Sequence, residues 1–224
     1  MEIIKLDLKN SKIRIVEKAA KVILSGGVAA IPTDTAYGLA ANARDPQALE
    51  KLSLIKGRPE NKPYPIAVLD LAEARQYAIF NPQAILLAQE FWPGALTLVL
   101  KRKKNAKILG GKLKTVGARV PDSLFCRRLS QILNLPYAIT SANLSGEATI
   151  YTVSEIVKQF KNQKYQPDLI LDAGRLPARK ISTVVDLSGG KVKILREGAV
   201  DAPSLRGARL KPCRSDEAIS SNYR

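Results

Sequence analysis

"VAAIPTDTAYGLAANARDPQALEKLSLIKGRP", residues 28–59, is the stretch on which the fold turns. Val28 to Pro32 form an apolar run between "SGG" (Ser25 to Gly27) and a polar cluster, which reads as a short buried strand. From Asp45 the pattern changes. Asp45 is an N-cap residue type, Pro46 takes the first helical position and Gly57 closes the run, so the spacing predicts a helix between them. A buried strand, a polar loop and a helix in succession describe the alternation of an α/β protein.

The alternation extends in both directions. Val16, Ala19, Ala20, Ile23 and Leu24 recur at helical spacing, which predicts a helix over 13–24. Downstream, "NPQAILLAQEFW", "DSLFCRRLSQILN" and "TVSEIVKQF" read as helices, while "YPIAVLD", "LTLVLKRK", "VGARVPDS", "PYAIT" and "DLILDAG" read as strands. "STVVDLSGGKVKILREG", residues 182–198, reads as a hairpin hinged at Ser188–Gly190. The fold class expected is α/β, a twisted mixed β-sheet flanked by helices, in one domain over residues 1–200. The segment 201–224 shows little periodicity and is expected to be a basic, flexible tail.

Composition narrows the chemistry. The 224 residues are 46% hydrophobic, 25% charged and 5% aromatic, so the core must come from Leu, Ile, Val and Ala. Two cysteines are too few for a disulfide framework, no leader or membrane-spanning run is evident, and a cytoplasmic location is expected. The chain has no histidine, which excludes Ser–His and Cys–His nucleophilic catalysis and His-ligated zinc. Chemistry must rest on Lys, Arg, carboxylates, hydroxyls and backbone groups, a set suited to attack on a nucleotide phosphate. Thirty-six Lys and Arg against 20 Asp and Glu give a net charge of +16, pointing to a polyanionic partner or, more simply, to solubility. The run Lys101 to Lys114 holds seven cations and reads either as a solvated hairpin loop or as an RNA-facing patch.

Several short stretches carry candidate site residues. Thr33, Asp34, Thr35 and Tyr37 cluster where the first strand ends, the side on which α/β sheets bind ligands; a helix N-cap by Thr33 or Asp34 is the competing reading. Lys56 and Arg58 flank Gly57 where a helix stops. They suit a phosphate chain, or simply close a helix C-terminus. Thr140, Ser141, Asn143 and Ser145, with Gly146, offer hydroxyls and an amide on a loop that could bind triphosphate oxygens or make a side-chain-stabilised turn. Arg119 interrupts an apolar strand and needs a partner, either a ligand carboxylate or a structural ion pair with Asp122. Arg196 raises the same question at the end of another strand, and Ser182 and Thr183 open a further one. No P-loop spacing is present.

Taken together, "PTDTAYGLAANA", "IKGRPENKPYPIAVL", "FWPGALTLVL", "VGARVPD", "AITSANLSGE" and "STVVDLSGGKVKILREG" resemble, in order and approximate spacing over residues 12–200, the YrdC-like family of threonylcarbamoyl-AMP synthases. The resemblance implies a YrdC-like open α/β fold with a concave basic cleft. It implies a nucleotidyltransferase that converts L-threonine, bicarbonate and ATP into threonylcarbamoyl-adenylate and pyrophosphate, for modification of tRNA. It places Lys56, Arg58, Ser141, Asn143 and Arg196 on ATP, with Lys56 and Arg58 as the catalytic pair, and Thr35, Arg119, Ser182 and Thr140 on threonine. Mg2+ would come with ATP rather than with a dedicated ligand cluster. tRNA or the downstream tRNA-modifying complex is the macromolecular partner implied. Asp34 stands where many members have Glu, and Ile181 where longer members have Glu, so the short single-domain form is expected. The alternative is a non-catalytic RNA-binding or ribosome-assembly protein of the family's YciO-like branch.

Overall fold

The computed structural model describes residues 1–8, 12–59, 63–109, 113–189 and 192–207. Its strands are β1 (Glu2–Lys5), β2 (Ala29–Pro32), β3 (Tyr37–Asn42), β4 (Ile66–Ala67), β5 (Ala78–Ile79), β6 (Leu96–Arg102), β7 (Thr115–Arg119), β8 (Tyr137–Ser141), β9 (Leu169–Asp172), β10 (Thr183–Asp186) and β11 (Lys193–Arg196). Its helices are α1 (Ile13–Leu24), α2 (Pro46–Lys56), α3 (Leu71–Tyr77), α4 (Pro82–Phe91), α5 (Leu124–Leu133), α6 (Val153–Phe160) and α7 (Ala202–Gly207). The sheet runs β1-β9-β2-β3-β8-β4-β7-β6-β10-β11, with β5 pairing β6 to one side. It is mixed: β2 joins β9 in parallel and β3 antiparallel, while β6 joins β7 antiparallel and β10 in parallel.

Local chemistry sets the helix limits. The Asp45 carboxylate accepts from the N–H groups of Gln47 and Ala48, Pro46 follows, and Gly57 ends α2 at φ 58°, a left-handed conformation that glycine adopts without a Cβ penalty. Asn81 and Ser123 cap α4 and α5 in the same way, and Thr152 and Glu155 form a capping box on α6.

Alternation along the strands separates two cores. Val28 and Ala30 turn toward a large core shared with Leu52, Ile55, Leu87 and Phe160, while Ala29 and Ile31 turn toward Val16, Ile23, Phe125 and Leu129 of α1 and α5. On that second face α1 and α5 cover β2, β3, β8 and β9 but leave β7, β6 and β10 open. The uncovered face becomes the site.

Three differences from the sequence reading stand out. After Thr33–Asp34–Thr35 the chain makes no helix; it turns back as β3, a strand built from "YGLAAN" and pinned on both sides by β2 and β8. The segment read as the strand "YPIAVLD" supplies two strand residues and then α3, capped by Asp70. Residues Ala202–Gly207 form α7, with Leu205 buried, so regular structure continues past residue 200; the remainder of the expected tail, 208–224, lies outside the described residues, as do 110–112 of the basic loop. Among the described residues no helix is long and apolar enough to cross a membrane.

Candidate active site

The β2–β3 connection is held by one hydroxyl. Thr33 Oγ1 accepts from the N–H groups of Thr35 and Ala36, each at 3.2 Å, and donates to the Ala36 carbonyl at 2.7 Å. This hydroxyl turn fixes Thr35, whose own Oγ1 lies 3.2 Å from that of Thr33. Asp34 and Thr35 both reach Arg119.

Lys56 is the last residue of α2 and only 3% exposed. Its ammonium reaches the loop after β8, donating to the carbonyls of Ser141 (2.6 Å) and Asn143 (2.5 Å), with Ser141 Oγ at 3.2 Å and Asn143 Oδ1 at 2.9 Å. Four oxygens therefore share three protons. The Asn143 amide nitrogen donates to the carbonyls of Leu144 (3.0 Å) and Glu147 (2.6 Å), and Ser145 N–H returns to the Lys56 carbonyl at 2.9 Å. "SANLSG" is thus a loop whose shape is set by a buried cation. Burial, with Arg58 nearby as a second cause, pushes the Lys56 ammonium down to about 8. Arg58 itself lies over the Tyr64 ring, 4.8 Å from its centroid, and donates to the Pro63 carbonyl at 2.8 Å.

Arg119 ends β7 and is 8% exposed. Its NH2 donates to Asp34 Oδ2 at 2.6 Å, its Nε to the Gly94 carbonyl at 2.9 Å, and its NH1 to Thr35 Oγ1 at 3.4 Å. The structural partner is Asp34, not Asp122, which is exposed at the surface. Ser182 Oγ accepts from Thr97 Oγ1 (3.2 Å) and from Arg196 NH2 (2.9 Å), leaving its own proton to donate. Arg196 also grips the Ser182 carbonyl through Nε and NH2, at 3.1 and 2.8 Å. Behind this clasp Gly198 packs so tightly that a Cβ would meet the Ile181 carbonyl oxygen at 2.2 Å.

These groups line one cavity of about 570 Å³ on the open sheet face. Thr35, Lys56, Arg58, Arg119, Thr140, Ser141, Asn143, Ser182 and Arg196 all border it, whereas Asp34 and Thr183 do not. Strand alternation explains the convergence: Thr97 with Val99, Gly117 with Arg119, Ile139 with Ser141 and Ser182 with Val184 are same-face pairs two residues apart. Among the described residues, none lining the cavity is a carboxylate. Burial pulls the Arg196 guanidinium below its ordinary value, and the positive charges of Arg119 and Arg58 pull it further, so the site repels its own cations and favours an anion. Sequence reasoning missed Thr97, the one hydroxyl in "LTLVL" and nearly fully buried, and Tyr64, which supports Arg58.

The comparisons with known proteins concern the family and the fold. The family model Sua5–YciO–YrdC, described as "Telomere recombination", matches residues 21–198. A Methanocaldococcus jannaschii relative is 35% identical over 192 residues, covering 86% of this chain and 89% of its own. The Homo sapiens threonylcarbamoyl-AMP synthase is 37% identical over 189 residues, which span 80% of this chain and 66% of the human one. Among solved structures, Pyrococcus abyssi Sua5 complexed with L-threonine superposes with a TM-score of 0.84 at 30% identity, over 93% of this chain and 62% of that one. Escherichia coli YciO superposes with a TM-score of 0.79 at 30% identity, over 91% and 98%.

Proposed function

The chain belongs to the Sua5–YciO–YrdC family, and from that premise we propose that it is a threonylcarbamoyl-AMP synthase, a nucleotidyltransferase acting on L-threonine, bicarbonate and ATP. The threonine amine and bicarbonate condense to a carbamate with loss of water. A carbamate oxygen then attacks the α-phosphorus, the bond from that phosphorus to the bridging oxygen breaks, and pyrophosphate leaves. The reaction needs charge neutralisation around a triphosphate and alignment of two anions, and no histidine.

One observation supports the reading: Lys56 and Arg58 border the cavity at the hydroxyl-lined Ser141–Asn143 loop, Arg119 and Thr35 meet elsewhere on its wall, and Arg196 clasps Ser182 on the same cavity. The first group suits the phosphates, with Lys56 shaping the Ser141–Asn143 loop on which they rest. The second group suits an amino acid, its carboxylate on Arg119 and its hydroxyl beside Thr35, Thr140 or Ser182. A cavity lined by cations, hydroxyls and apolar groups does not fit a protein-held magnesium site; Mg2+ belongs to this scheme as a companion of ATP, held by phosphates and water. The product would serve tRNA modification in the cytoplasm, handed to a tRNA-modifying complex.

Pyrophosphate release by the purified protein tests this. Release that requires L-threonine and bicarbonate together with ATP is the expected result; folded protein that releases none would overturn it. A second reading, a non-catalytic RNA-binding protein, draws on the net charge of +16. That reading expects RNA affinity that falls steeply with salt and is indifferent to Lys56.

A further inference from the structure

The pair Asp34–Arg119 has a feature that threonine binding by Arg119 does not account for. Both side chains are nearly buried, at 6% and 10% exposure, yet they meet through a single contact, Asp34 Oδ2 to Arg119 NH2. The second carboxylate oxygen, Oδ1, is buried and has no hydrogen-bond partner among the described residues. A bidentate fork, the usual strong form of this pair, would consume two guanidinium protons on one carboxylate. Here five N–H groups are divided differently: one to Asp34, one to the Gly94 carbonyl, one to Thr35 Oγ1, and two left over. Arg119 borders the cavity and Asp34 does not, so the carboxylate backs a guanidinium that a ligand in the cavity can reach.

The charge consequence is as specific as the geometry. Lys56 and Arg196 face the cavity with carbonyl and hydroxyl oxygens as their partners, so their full charge acts on a ligand. Arg119 is backed by an anion at contact distance. It can donate hydrogen bonds, and although its charge still reaches Arg196, the carboxylate beside it offsets part of its field on a ligand. Such an arginine suits a ligand of one carboxylate and low net charge, and discriminates poorly in favour of a polyanion.

We propose that Asp34 is a positioning and specificity residue that reserves Arg119 for the carboxylate of an amino acid and keeps phosphate groups away from that end of the cavity. This rests on the synthase reading above. Asp34 touches neither substrate; it acts through Arg119, in the orientation of the guanidinium and in the sign of the local field.

The test is calorimetric titration of L-threonine, and separately of ATP, into wild type, Asp34→Asn and Asp34→Glu, with pyrophosphate as a competing probe in the threonine titration. Asp34→Asn keeps the shape and removes the charge. It is expected to weaken threonine about tenfold, to leave ATP within about twofold, and to turn pyrophosphate into a competitor of threonine, which a merely structural role would not do. Asp34→Glu restores the charge and should restore exclusion of pyrophosphate even where threonine binds less well. Should Asp34→Asn fail to fold, Asp34→Ser, which also removes the charge and keeps Arg119, carries the competition test with the same expected outcome. Unchanged threonine affinity in Asp34→Asn, or pyrophosphate excluded as in wild type, overturns the inference and leaves the synthase reading standing. Wild type that binds no threonine overturns both.

Discussion

The two ends of the cavity solve the burial of a cation in opposite ways. At the Lys56 end the charge is surrounded by neutral oxygens, two carbonyls, a hydroxyl and an amide, and its ammonium is pushed down to about 8. At the Arg119 end the charge is met by a carboxylate at 2.6 Å. Neutral dipoles stabilise a cation while leaving its field intact; a carboxylate stabilises it and offsets part of the field. A triphosphate is best served by the first arrangement and a single carboxylate by the second, which is the basis of the proposed assignment of the two ends to ATP and to threonine.

The largest effect that would break this comparison is expected from Lys56→Ala. It strips the Ser141–Asn143 loop of its central donor and leaves buried oxygens unsatisfied, at about 1–3 kcal/mol of stability, and should lower the rate of pyrophosphate release by about 100-fold or more. Stopped or continuous assays of pyrophosphate beside a thermal melt separate the two losses. Next comes Arg119→Gln, expected to weaken threonine by more than tenfold with nucleotide affinity close to wild type, and read by titrating each ligand alone. It leaves Asp34 buried without its cation, so the melt should shift down as well.

The pH dependence sharpens the contrast. Between about 8 and the ordinary lysine value of 10.5 the unfolded chain holds the Lys56 proton and the folded chain does not, so this residue's contribution to stability rises with pH through that window. Lys56→Met removes the contribution, and the melting-temperature difference between wild type and variant should move toward wild type from pH 7 to pH 10. Nucleotide affinity should run the other way, falling by up to about tenfold per pH unit above 8 as the cation is lost. A smaller effect is expected from Thr97→Val, which removes one donor to Ser182 and should raise the threonine KM a few-fold without moving the nucleotide KM. Smallest for activity is Asp45→Ala, which removes the α2 cap at about 1 kcal/mol and leaves the cavity untouched.

Much of this was legible in the sequence, for reasons that differ between fold and site. The limits of α1 and α2 follow from periodicity and cap residues, which are local signals. Strand β3 was hidden because "YGLAAN" lacks β-branched residues; it is a strand because β2 and β8 satisfy its backbone on both sides. Helix α3, seven residues long, was too short for its period to show, although Asp70 marked its start. The site residues were visible as chemical types in polar breaks between apolar runs. Their partners were not. Lys56 meets Asn143 across 87 positions and Arg119 meets Asp34 across 85, contacts fixed by the order of strands in the sheet, which no local pattern encodes. The nearby Asp122 was the natural choice on sequence distance and lies on the outside instead.

The most direct test of the division is to titrate L-threonine and a non-hydrolysable ATP analogue, each alone, into Arg58→Ala and Arg119→Gln. A crossed result is expected: Arg58→Ala loses the nucleotide and keeps threonine, while Arg119→Gln loses threonine and keeps the nucleotide. Loss of both ligands in both variants, from protein that remains folded, would contradict the separation of the two ends and with it the account of how this cavity tells its substrates apart.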